Sequence, residues 1–303
     1  MKNGKTILIT TSSFGLESSE PLNLMQAAGF EYIINPYNRK LSEEELITLL
    51  SKHKPPYIIA GTETYNRSVL ENVKPFLKII SRCGVGIDGI DLEAAAEFGI
   101  KIKNTPDAPT RAVAELTIGL MLDVFRRISL IDRNIRNGKF DKFMGNLLFG
   151  KTIGIIGYGR IGKCVALYAE AFGCKIIFHD PDSLNSMPLD SLLQESDIVT
   201  LHCPLLAQTK NVINEAALCK MKKTAILLNA SRGGLVDENA LIKILTEKRI
   251  AGAAMDCFEK EPYSGELIKF DNVVLTSHIG SYAKESRIKQ EIDAVKNILE
   301  DKE

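Results

Sequence analysis

The sequence predicts an α/β protein of two domains, each a parallel β-sheet wound with helices on both faces. Three observations predict it. The chain has 303 residues, about two common domains. Short runs rich in Ile and Val alternate with amphipathic segments, and the alternation restarts past residue 104. Apolar residues at successive positions are typical of parallel strands buried on both faces, and this strand–helix rhythm is typical of doubly wound sheets.

The candidate strands are the short apolar runs of the chain, at residues 6–10, 32–36, 57–61, 77–84, 100–105, 151–157, 174–180, 197–203, 224–231, 250–256 and 273–277. Helical periodicity fills many of the gaps, at residues 42–53, 91–99, 162–173 and 237–249, and a last helix follows residue 282. This order predicts parallel sheets connected by crossover helices.

A domain boundary is predicted near residue 104. Pro106 and Pro109 interrupt the pattern there, and Thr110 is expected to cap the long helix that follows. The last helix is expected to return to the first domain. We therefore predict one domain of residues 1–103 with 282–303, and a second of residues 104–281.

Composition excludes several classes of function. Lys+Arg and Asp+Glu balance at 38 each, so no positive field indicates a nucleic-acid or anionic-membrane partner. No apolar run has the length of a membrane span. The six cysteines are scattered, without a CxxC or a zinc-type spacing. The prediction is a cytoplasmic protein with reduced thiols and no metal site.

A glycine motif predicts a dinucleotide site. Gly157, Gly159 and Gly162 form a GxGxxG pattern between an apolar strand and an amphipathic helix. The glycines would allow a tight turn, a close approach of the pyrophosphate and close helix–strand packing. The backbone N–H groups around Arg160 and Ile161 would face the phosphates at the helix N-terminus.

An acidic residue follows at the expected distance. Asp180 ends the next strand, where a carboxylate binds the adenosine ribose and repels a 2′-phosphate. NAD is therefore predicted over NADP. The alternative is a structural strand–helix turn with an incidental Asp180. His179 is interpreted as the end of its strand.

Polar residues follow the later strands of the second domain, where ligands bind in doubly wound sheets. Arg232 suits a carboxylate, His278 suits proton exchange, and Glu261 suits a partner for that histidine. Composition alone leaves alternatives open. Arg232 could pair with Asp237 or Glu238, Glu261 could be an exposed loop acid, and His278 could be a core histidine. Gly280 is small enough for the chain to pass close to the cofactor.

The motifs together resemble the NAD-dependent D-2-hydroxyacid dehydrogenases, most closely the phosphoglycerate dehydrogenase-like branch. The resemblance covers nearly the whole chain, through "SRCGVGIDGIDLEAA", "NTPDAPTRAVAELTIGLML", "GKTIGIIGYGRIGK", "HCPL", "LLNASRGGLVDENAL", "AGAAMDCFEKEP" and "VVLTSHIGS". It implies two Rossmann- or flavodoxin-like domains with the active site in the cleft between them, and hydride transfer between NAD and a small 2-hydroxy or 2-oxo acid.

The resemblance also implies roles for single residues. Arg232 would hold the substrate carboxylate and carbonyl, and His278, paired with Glu261, would exchange the proton. The loop Gly84–Val85–Gly86 would bind the carboxylate through its backbone N–H groups. Asp256 would lie near the nicotinamide, and further residues would line the cofactor: Cys203, Pro204, Ala230 and Ser231. Arg82 would meet a substrate phosphate or form a structural ion pair.

The chain departs from the family pattern at several positions. Ser277, Gly89 and Asp107 stand where Pro, Asn and Gly are common, and the loop Gly61–Thr62–Glu63 stands where some phosphoglycerate dehydrogenases carry a phosphate-binding arginine. The expected substrate is 3-phosphoglycerate with a role in serine biosynthesis. The alternatives are a glyoxylate, hydroxypyruvate or other small 2-oxoacid reductase, and a non-enzymatic NAD-sensing corepressor-like protein. The resemblance implies a homodimer formed through the cofactor domain.

Overall fold

The computed structural model describes residues 5–302 and divides into two compact units. Of the described residues, the first unit comprises 5–109 and 281–302, and the second comprises 110–280. The boundary thus lies six residues beyond the predicted one. The reason is hydrogen bonding, because Thr105 N donates to Gly84 O and Ala108 O accepts from Ser286 Oγ, which ties residues 105–109 to the first unit.

The first unit contains a five-stranded parallel sheet in the order β2-β1-β3-β4-β5. Its strands are β1 Thr6–Ile9, β2 Glu31–Ile34, β3 Tyr57–Ala60, β4 Ile79–Arg82 and β5 Lys101–Asn104. Its helices are α1 Glu20–Ala27, α2 Glu43–His53, α3 Arg67–Val73, α4 Leu92–Glu97 and α11 Lys284–Leu299. This strand order is flavodoxin-like and places ligands at the carboxyl ends of the central strands.

The first sheet forms because its central strands are apolar on both faces. All four residues of β3 are buried, and one face packs with Leu46 and Leu70 while the other packs with Val295 and Ile298 of α11. Burying such side chains stabilises the fold by about 1.5–3 kcal/mol each. The carboxyl ends of β1, β3 and β4 consequently lie side by side on a rigid support.

The second unit contains a six-stranded parallel sheet in the order β11-β10-β9-β8-β6-β7. Its strands are β6 Thr152–Ile156, β7 Lys175–His179, β8 Ile198–Leu201, β9 Ile226–Asn229, β10 Gly252–Met255 and β11 Val273–Leu275. Its helices are α5 Thr110–Arg126, α6 Ile128–Arg136, α7 Arg160–Ala171, α8 Leu189–Glu195, α9 Glu215–Lys220 and α10 Glu238–Thr246. The strand order reverses at β6, beside β8, and such a switch point is where a crevice for ligands opens.

Two local expectations have different outcomes. His179 is the last residue of β7, as interpreted, and its Nδ1 lies 2.8 Å from Met187 O. Thr110, in contrast, is already the first residue of α5, and its hydroxyl is buried without a hydrogen-bond partner among the described residues. The predicted Thr110 cap is therefore wrong. Among residues 5–302, no helix combines the length and the apolar character needed to cross a bilayer.

Candidate active site

The glycine turn after β6 has two glycines that backbone packing requires. Gly157 has φ +92°, and a Cβ there would lie 2.5 Å from Cys203 N. A Cβ on Gly162 would lie 2.2 Å from Gly157 O, so α7 could not approach the turn. Gly159 differs, because no atom of residues 5–302, apart from its own chain neighbours, lies within 4 Å of the position of its Cβ. The turn therefore leaves open space directly before the N-terminus of α7, where a pyrophosphate fits.

Asp180 is fixed beside this turn. Its Oδ2 accepts from Tyr158 N at 2.7 Å and its Oδ1 accepts from Asp182 N at 3.1 Å. Each carboxylate oxygen keeps a further lone pair that can accept from a ribose hydroxyl. The residues present therefore fit NAD, and the negative charge of Asp180 disfavours a 2′-phosphate.

The residues predicted to line the cofactor lie at the ends of β8 and β9. Ser231 Oγ donates to Cys203 O at 2.8 Å and so joins the two strand ends. Burial raises the pKa of the Cys203 thiol to about 11, so this group stays protonated and is no nucleophile at neutral pH. Pro204 and Ala230 adjoin these two residues in the chain. Contact of these groups with NAD remains a prediction, as it does for Arg160 and Ile161 in the first turn of α7.

His278 and Glu261 form a hydrogen-bonded pair at the end of β11. The Nδ1 atom of His278 lies 3.0 Å from both carboxylate oxygens of Glu261, and Oε1 also accepts from Phe258 N at 3.0 Å. A carboxylate can only accept, so Nδ1 carries the proton of this bond and Nε2 faces away from Glu261. The two side chains are 42% and 38% exposed, which leaves Nε2 accessible for proton exchange.

Asp256 holds the turn that carries this histidine. It is 1% exposed, and its Oδ1 accepts from Thr276 Oγ1 at 2.6 Å and from Ile279 N at 2.8 Å, while Oδ2 accepts from Gly280 N at 2.8 Å. His278 adopts φ +56°, a left-handed conformation that is costly for a residue with a side chain. The bonds to Asp256 on either side of His278 compensate this cost.

These bonds change the interpretation of two predicted cofactor residues. Each described bond of the Asp256 carboxylate is to the histidine turn, rather than to a group facing a cofactor. A Cβ on Gly280 would lie 3.1 Å from Asp256 Oδ2 and 3.3 Å from Val113 Cγ2. The small size of Gly280 therefore serves packing on Asp256 within this unit.

Arg232 follows β9 and is positioned through its main chain. Asn229 Nδ2 donates to Arg232 O at 2.8 Å, and Arg232 Nη1 donates to Ser231 O at 2.7 Å. The alternative partners are engaged elsewhere, because Asp237 caps α10 and Glu238 accepts from Tyr263 OH at 2.8 Å. Gly233 follows directly, and a Cβ there would lie 2.0 Å from the carbonyl carbon of Phe258.

The loop Gly84–Gly86 follows β4 in the first unit. Gly84 N donates to Thr105 Oγ1 at 2.8 Å and to Arg82 O at 2.9 Å, so this amide is not available to a substrate carboxylate. The expected role of the Gly84 amide is therefore corrected. Within residues 5–302 the amides of Val85 and Gly86 have no described acceptor, and they are the two that can serve. Arg82 folds over the loop and donates to Cys83 O.

Sequence reasoning missed three positioning residues: Asn229, Thr276 and Thr105. Asn229 is wholly buried at the end of β9, directly before the segment that contains Arg232. A buried amide at a strand end was a signal that could have identified it. Thr276 and Thr105 act through partners that are distant in the sequence, so no local pattern reveals them.

The fold and these sites define a class of protein, an NAD-binding oxidoreductase with a histidine–carboxylate pair. The model of the D-isomer specific 2-hydroxyacid dehydrogenase NAD-binding domain matches residues 118–280. The chain therefore belongs to the D-isomer specific 2-hydroxyacid dehydrogenases, NAD-dependent oxidoreductases that act on the hydroxyl group of small 2-hydroxyacids.

Several known proteins are similar over most of the chain. A glyoxylate reductase of Pyrococcus horikoshii is 44% identical over 80% of this chain and 75% of its own length. A hydroxypyruvate reductase of Thermotoga maritima is 42% identical over 86% of this chain and 89% of its own. A D-3-phosphoglycerate dehydrogenase of Methanocaldococcus jannaschii is 41% identical over 82% of this chain but 49% of its own. The solved TT0316 protein of Thermus thermophilus superposes with a TM-score of 0.88 at 34% identity, covering 97% of this chain and 96% of that one.

Proposed function

We propose that this protein is an NADH-dependent reductase of a small 2-oxoacid, with His278 as the proton donor. The observation that carries the proposal is the bond from His278 Nδ1 to both oxygens of Glu261, at 3.0 Å each, at the end of β11. A histidine whose second nitrogen is fixed by a carboxylate presents one nitrogen to a substrate and has its charged form stabilised.

The chain's own residues account for proton transfer and orientation. NAD supplies the hydride acceptor or, when reduced, the hydride donor. His278 donates a proton from Nε2 to the carbonyl oxygen as the alcohol forms, and Glu261 stabilises the imidazolium before that step. Asp256 keeps the left-handed turn in place, so the ring meets the substrate in one orientation.

Substrate binding is assigned to one cation and one loop. Arg232 would hold the carboxylate and polarise the carbonyl, because a guanidinium offers paired donors that match a carboxylate. The backbone N–H groups of Val85 and Gly86 would donate hydrogen bonds to the carboxylate as well. Both contacts bind an anion, which agrees with the 2-oxoacid substrates of the family.

Glyoxylate and hydroxypyruvate are the favoured substrates. The relatives named for these reductases are 44% and 42% identical to this chain, which spans 75% and 89% of their lengths. The phosphoglycerate assignment has weaker support, because relatives named D-3-phosphoglycerate dehydrogenase are 41% and 36% identical to this chain. It stays a second candidate, and Arg82 would be its phosphate ligand.

The test follows NADH consumption with glyoxylate, hydroxypyruvate, pyruvate and 3-phosphohydroxypyruvate, and NADPH is compared with NADH. We expect turnover of glyoxylate or hydroxypyruvate and a preference for NADH. If 3-phosphohydroxypyruvate were the best substrate, the phosphoglycerate assignment would replace ours. If NADH bound without turnover of any 2-oxoacid, the sensor function would be favoured and the reductase rejected.

We also propose that a second copy of the chain covers an apolar surface of the second unit. Exposed apolar side chains are concentrated on α6 and on the arm that follows it, namely Ile128, Ile135, Phe140, Met144, Leu147 and Phe149, at 53–94% exposure. A concentration of exposed apolar side chains in one segment is typical of a protein interface. Light scattering should give a dimer, and Phe140→Ser with Met144→Ser should give monomer.

A cytoplasmic location is proposed from the cysteines. All six are free thiols. A chain with many unpaired thiols suits a reducing compartment. Cell fractionation would test it, and recovery in a membrane or secreted fraction would contradict it.

A further inference from the structure

A cavity of about 210 Å³ lies at the carboxyl edge of the first sheet. It is lined by Lys40 of the loop after β2, by Glu43 at the start of α2 and by Glu63 of the loop after β3. Carboxyl ends of parallel strands are where ligands bind in this type of sheet. The cavity is therefore in the right place for a ligand, and its chemistry depends on Glu63.

Glu63 is a buried carboxylate with an incomplete set of donors. It is 4% exposed, and its Oε2 accepts from Thr10 Oγ1 at 2.7 Å. In the described part of the chain, no group donates to its Oε1 and no cation lies within ion-pair distance. A buried carboxylate with one neutral donor is costly, so a ligand that donates to Oε1 would gain an unusually favourable bond.

The donor chain behind Glu63 has a fixed direction. The one proton of the Thr10 hydroxyl goes to Glu63, so Thr10 Oγ1 must accept from Tyr65 OH at 3.3 Å and from Gly61 N at 3.1 Å. Burial and then the charge of Glu63 raise the pKa of Tyr65, so the phenol keeps the proton it donates. Thr10 and Tyr65 are wholly buried. The Glu63 carboxylate is thus held rigidly through Oε2, and Oε1 can accept a hydrogen bond from a ligand.

The charges around the cavity disfavour an anion. Glu43 lies at its edge and accepts from Asn66 Nδ2 at 3.1 Å. Lys40 is an exposed ammonium at the same edge, and Arg82 lies close enough to influence the phenol of Tyr65. Glu63 and Glu43 nevertheless place two carboxylates on a small cavity. A neutral donor such as a hydroxyl is compatible with them, whereas a phosphate dianion would be repelled.

The Glu63 loop is adjacent to the loop assigned to the substrate carboxylate. Ala60 and Arg82 are paired in the β3–β4 register, and Cys83 N donates to Ala60 O at 3.0 Å. Neighbouring strands lie about 4.8 Å apart, which is comparable to the length of a three-carbon acid. One end of such a substrate can therefore be bound at Val85 and Gly86 while the other end reaches the Glu63 loop.

We propose that Glu63, held by Thr10 and Tyr65, is a specificity-determining residue that accepts a hydrogen bond from a hydroxyl on carbon 3 of the substrate and disfavours a phosphate there. The proposal rests on the proposed function, since it assigns the distal end of the same substrate. It selects hydroxypyruvate over glyoxylate, which lacks carbon 3, and over 3-phosphohydroxypyruvate.

The experiment measures kcat/KM for these three acids in the wild type, in Glu63→Gln and in the control Glu44→Gln, which changes an exposed carboxylate of α2 that does not line the cavity. The wild type should prefer hydroxypyruvate to 3-phosphohydroxypyruvate by about 100-fold, the size expected for like charges in contact. Glu63→Gln should lower that ratio at least about tenfold and leave glyoxylate within about threefold. The amide oxygen can still accept from Thr10, so the fold should be kept. Glu44→Gln should behave as wild type.

Three results would overturn the proposal. A wild-type ratio near unity would do so on its own, without any variant. An equal loss on all three acids in Glu63→Gln would assign Glu63 a structural role only. A wild type that reduced glyoxylate but neither three-carbon acid would remove the distal subsite while leaving the reductase intact. Absence of turnover with every acid would instead overturn the proposed function and this inference together.

Discussion

The two units present their functional groups in contrasting ways. In the second unit the side chains satisfy each other, because Glu261 binds His278 and Asp256 binds both flanks of the histidine turn. In the first unit the groups at the strand ends are only partly paired with each other. Thr10 donates to Oε2 of Glu63, whereas Oε1 has no donor among the described residues. Under the function that we propose, the second unit therefore provides the proton-transfer groups, whereas the first unit determines substrate preference.

The largest effect should come from Arg232, the carboxylate ligand that we propose in the second unit. Arg232→Gln removes a pair of charged hydrogen bonds, each worth about 1.5–3 kcal/mol, so kcat/KM should fall roughly 10²–10⁴-fold. Steady-state kinetics with hydroxypyruvate would measure this, and NADH affinity serves as the control. A loss smaller than tenfold would show that the carboxylate is bound elsewhere.

A substitution of Asp256 should show how far kcat depends on the conformation of the histidine turn. Asp256→Asn replaces an acceptor by an NH₂ group that must face a backbone N–H or the Thr276 hydroxyl. We expect kcat to fall about 10–100-fold, which corresponds to about 1.4–2.8 kcal/mol of misplaced donors. Thr276→Ser keeps the hydroxyl and should stay near the wild-type rate. If Asp256→Asn instead weakened only NADH binding, Asp256 would be a cofactor ligand as first expected.

Substitutions at two glycines of the same turn should distinguish an effect on the stability of the fold from an effect on cofactor binding. Gly157→Ala places a Cβ 2.5 Å from Cys203 N at a positive φ, so it should destabilise the fold by about 3 kcal/mol. Gly159→Ala meets no atom within 4 Å and should leave the melting temperature unchanged while lowering NADH affinity, because its Cβ enters the open space before α7. Thermal unfolding and NADH titration would measure both. Equal melting temperatures for the two variants would contradict the packing argument.

The smallest effect concerns stability at acid pH. Burial lowers the pKa of His202 to about 3, and its Nδ1 is buried without a partner among the described residues. Below about pH 6.5, the usual pKa of a histidine in an unfolded chain, the His202 ring is protonated in the unfolded state but stays neutral in the native state. Stability should therefore fall by about 1.4 kcal/mol per pH unit from this group as pH decreases from about 6 towards 4.

His202→Gln provides the matched measurement. The wild-type and variant free energies of unfolding should converge as pH falls, because the variant lacks the titrating ring. Urea unfolding at pH 7, 6 and 5 would follow the difference. A difference that stayed constant over this range would mean that His202 takes up its proton equally in the native and unfolded states.

The sequence predicted much of the fold because parallel strands and glycine turns have local patterns. Each candidate strand overlaps an observed one, although β2 begins one residue before its predicted start, and Arg232 and His278 follow β9 and β11 as expected. The remaining errors concern bonds between residues that are distant in the sequence. Thr105 accepts a hydrogen bond from the Gly84 amide, and Asp256 accepts from the amides of Ile279 and Gly280. Ala108 accepts from Ser286 of α11, and this bond moves the domain boundary. No periodicity in the chain specifies these partners.

The central claim is that His278 exchanges the proton in NADH-dependent reduction of a small 2-oxoacid. The most direct test compares the wild type with His278→Gln, measuring hydroxypyruvate-dependent NADH oxidation and NADH binding in the same preparations. We predict that turnover falls about 10²–10⁴-fold, the usual contribution of a general acid, while NADH affinity changes less than about threefold. A variant that kept the wild-type rate would contradict the account.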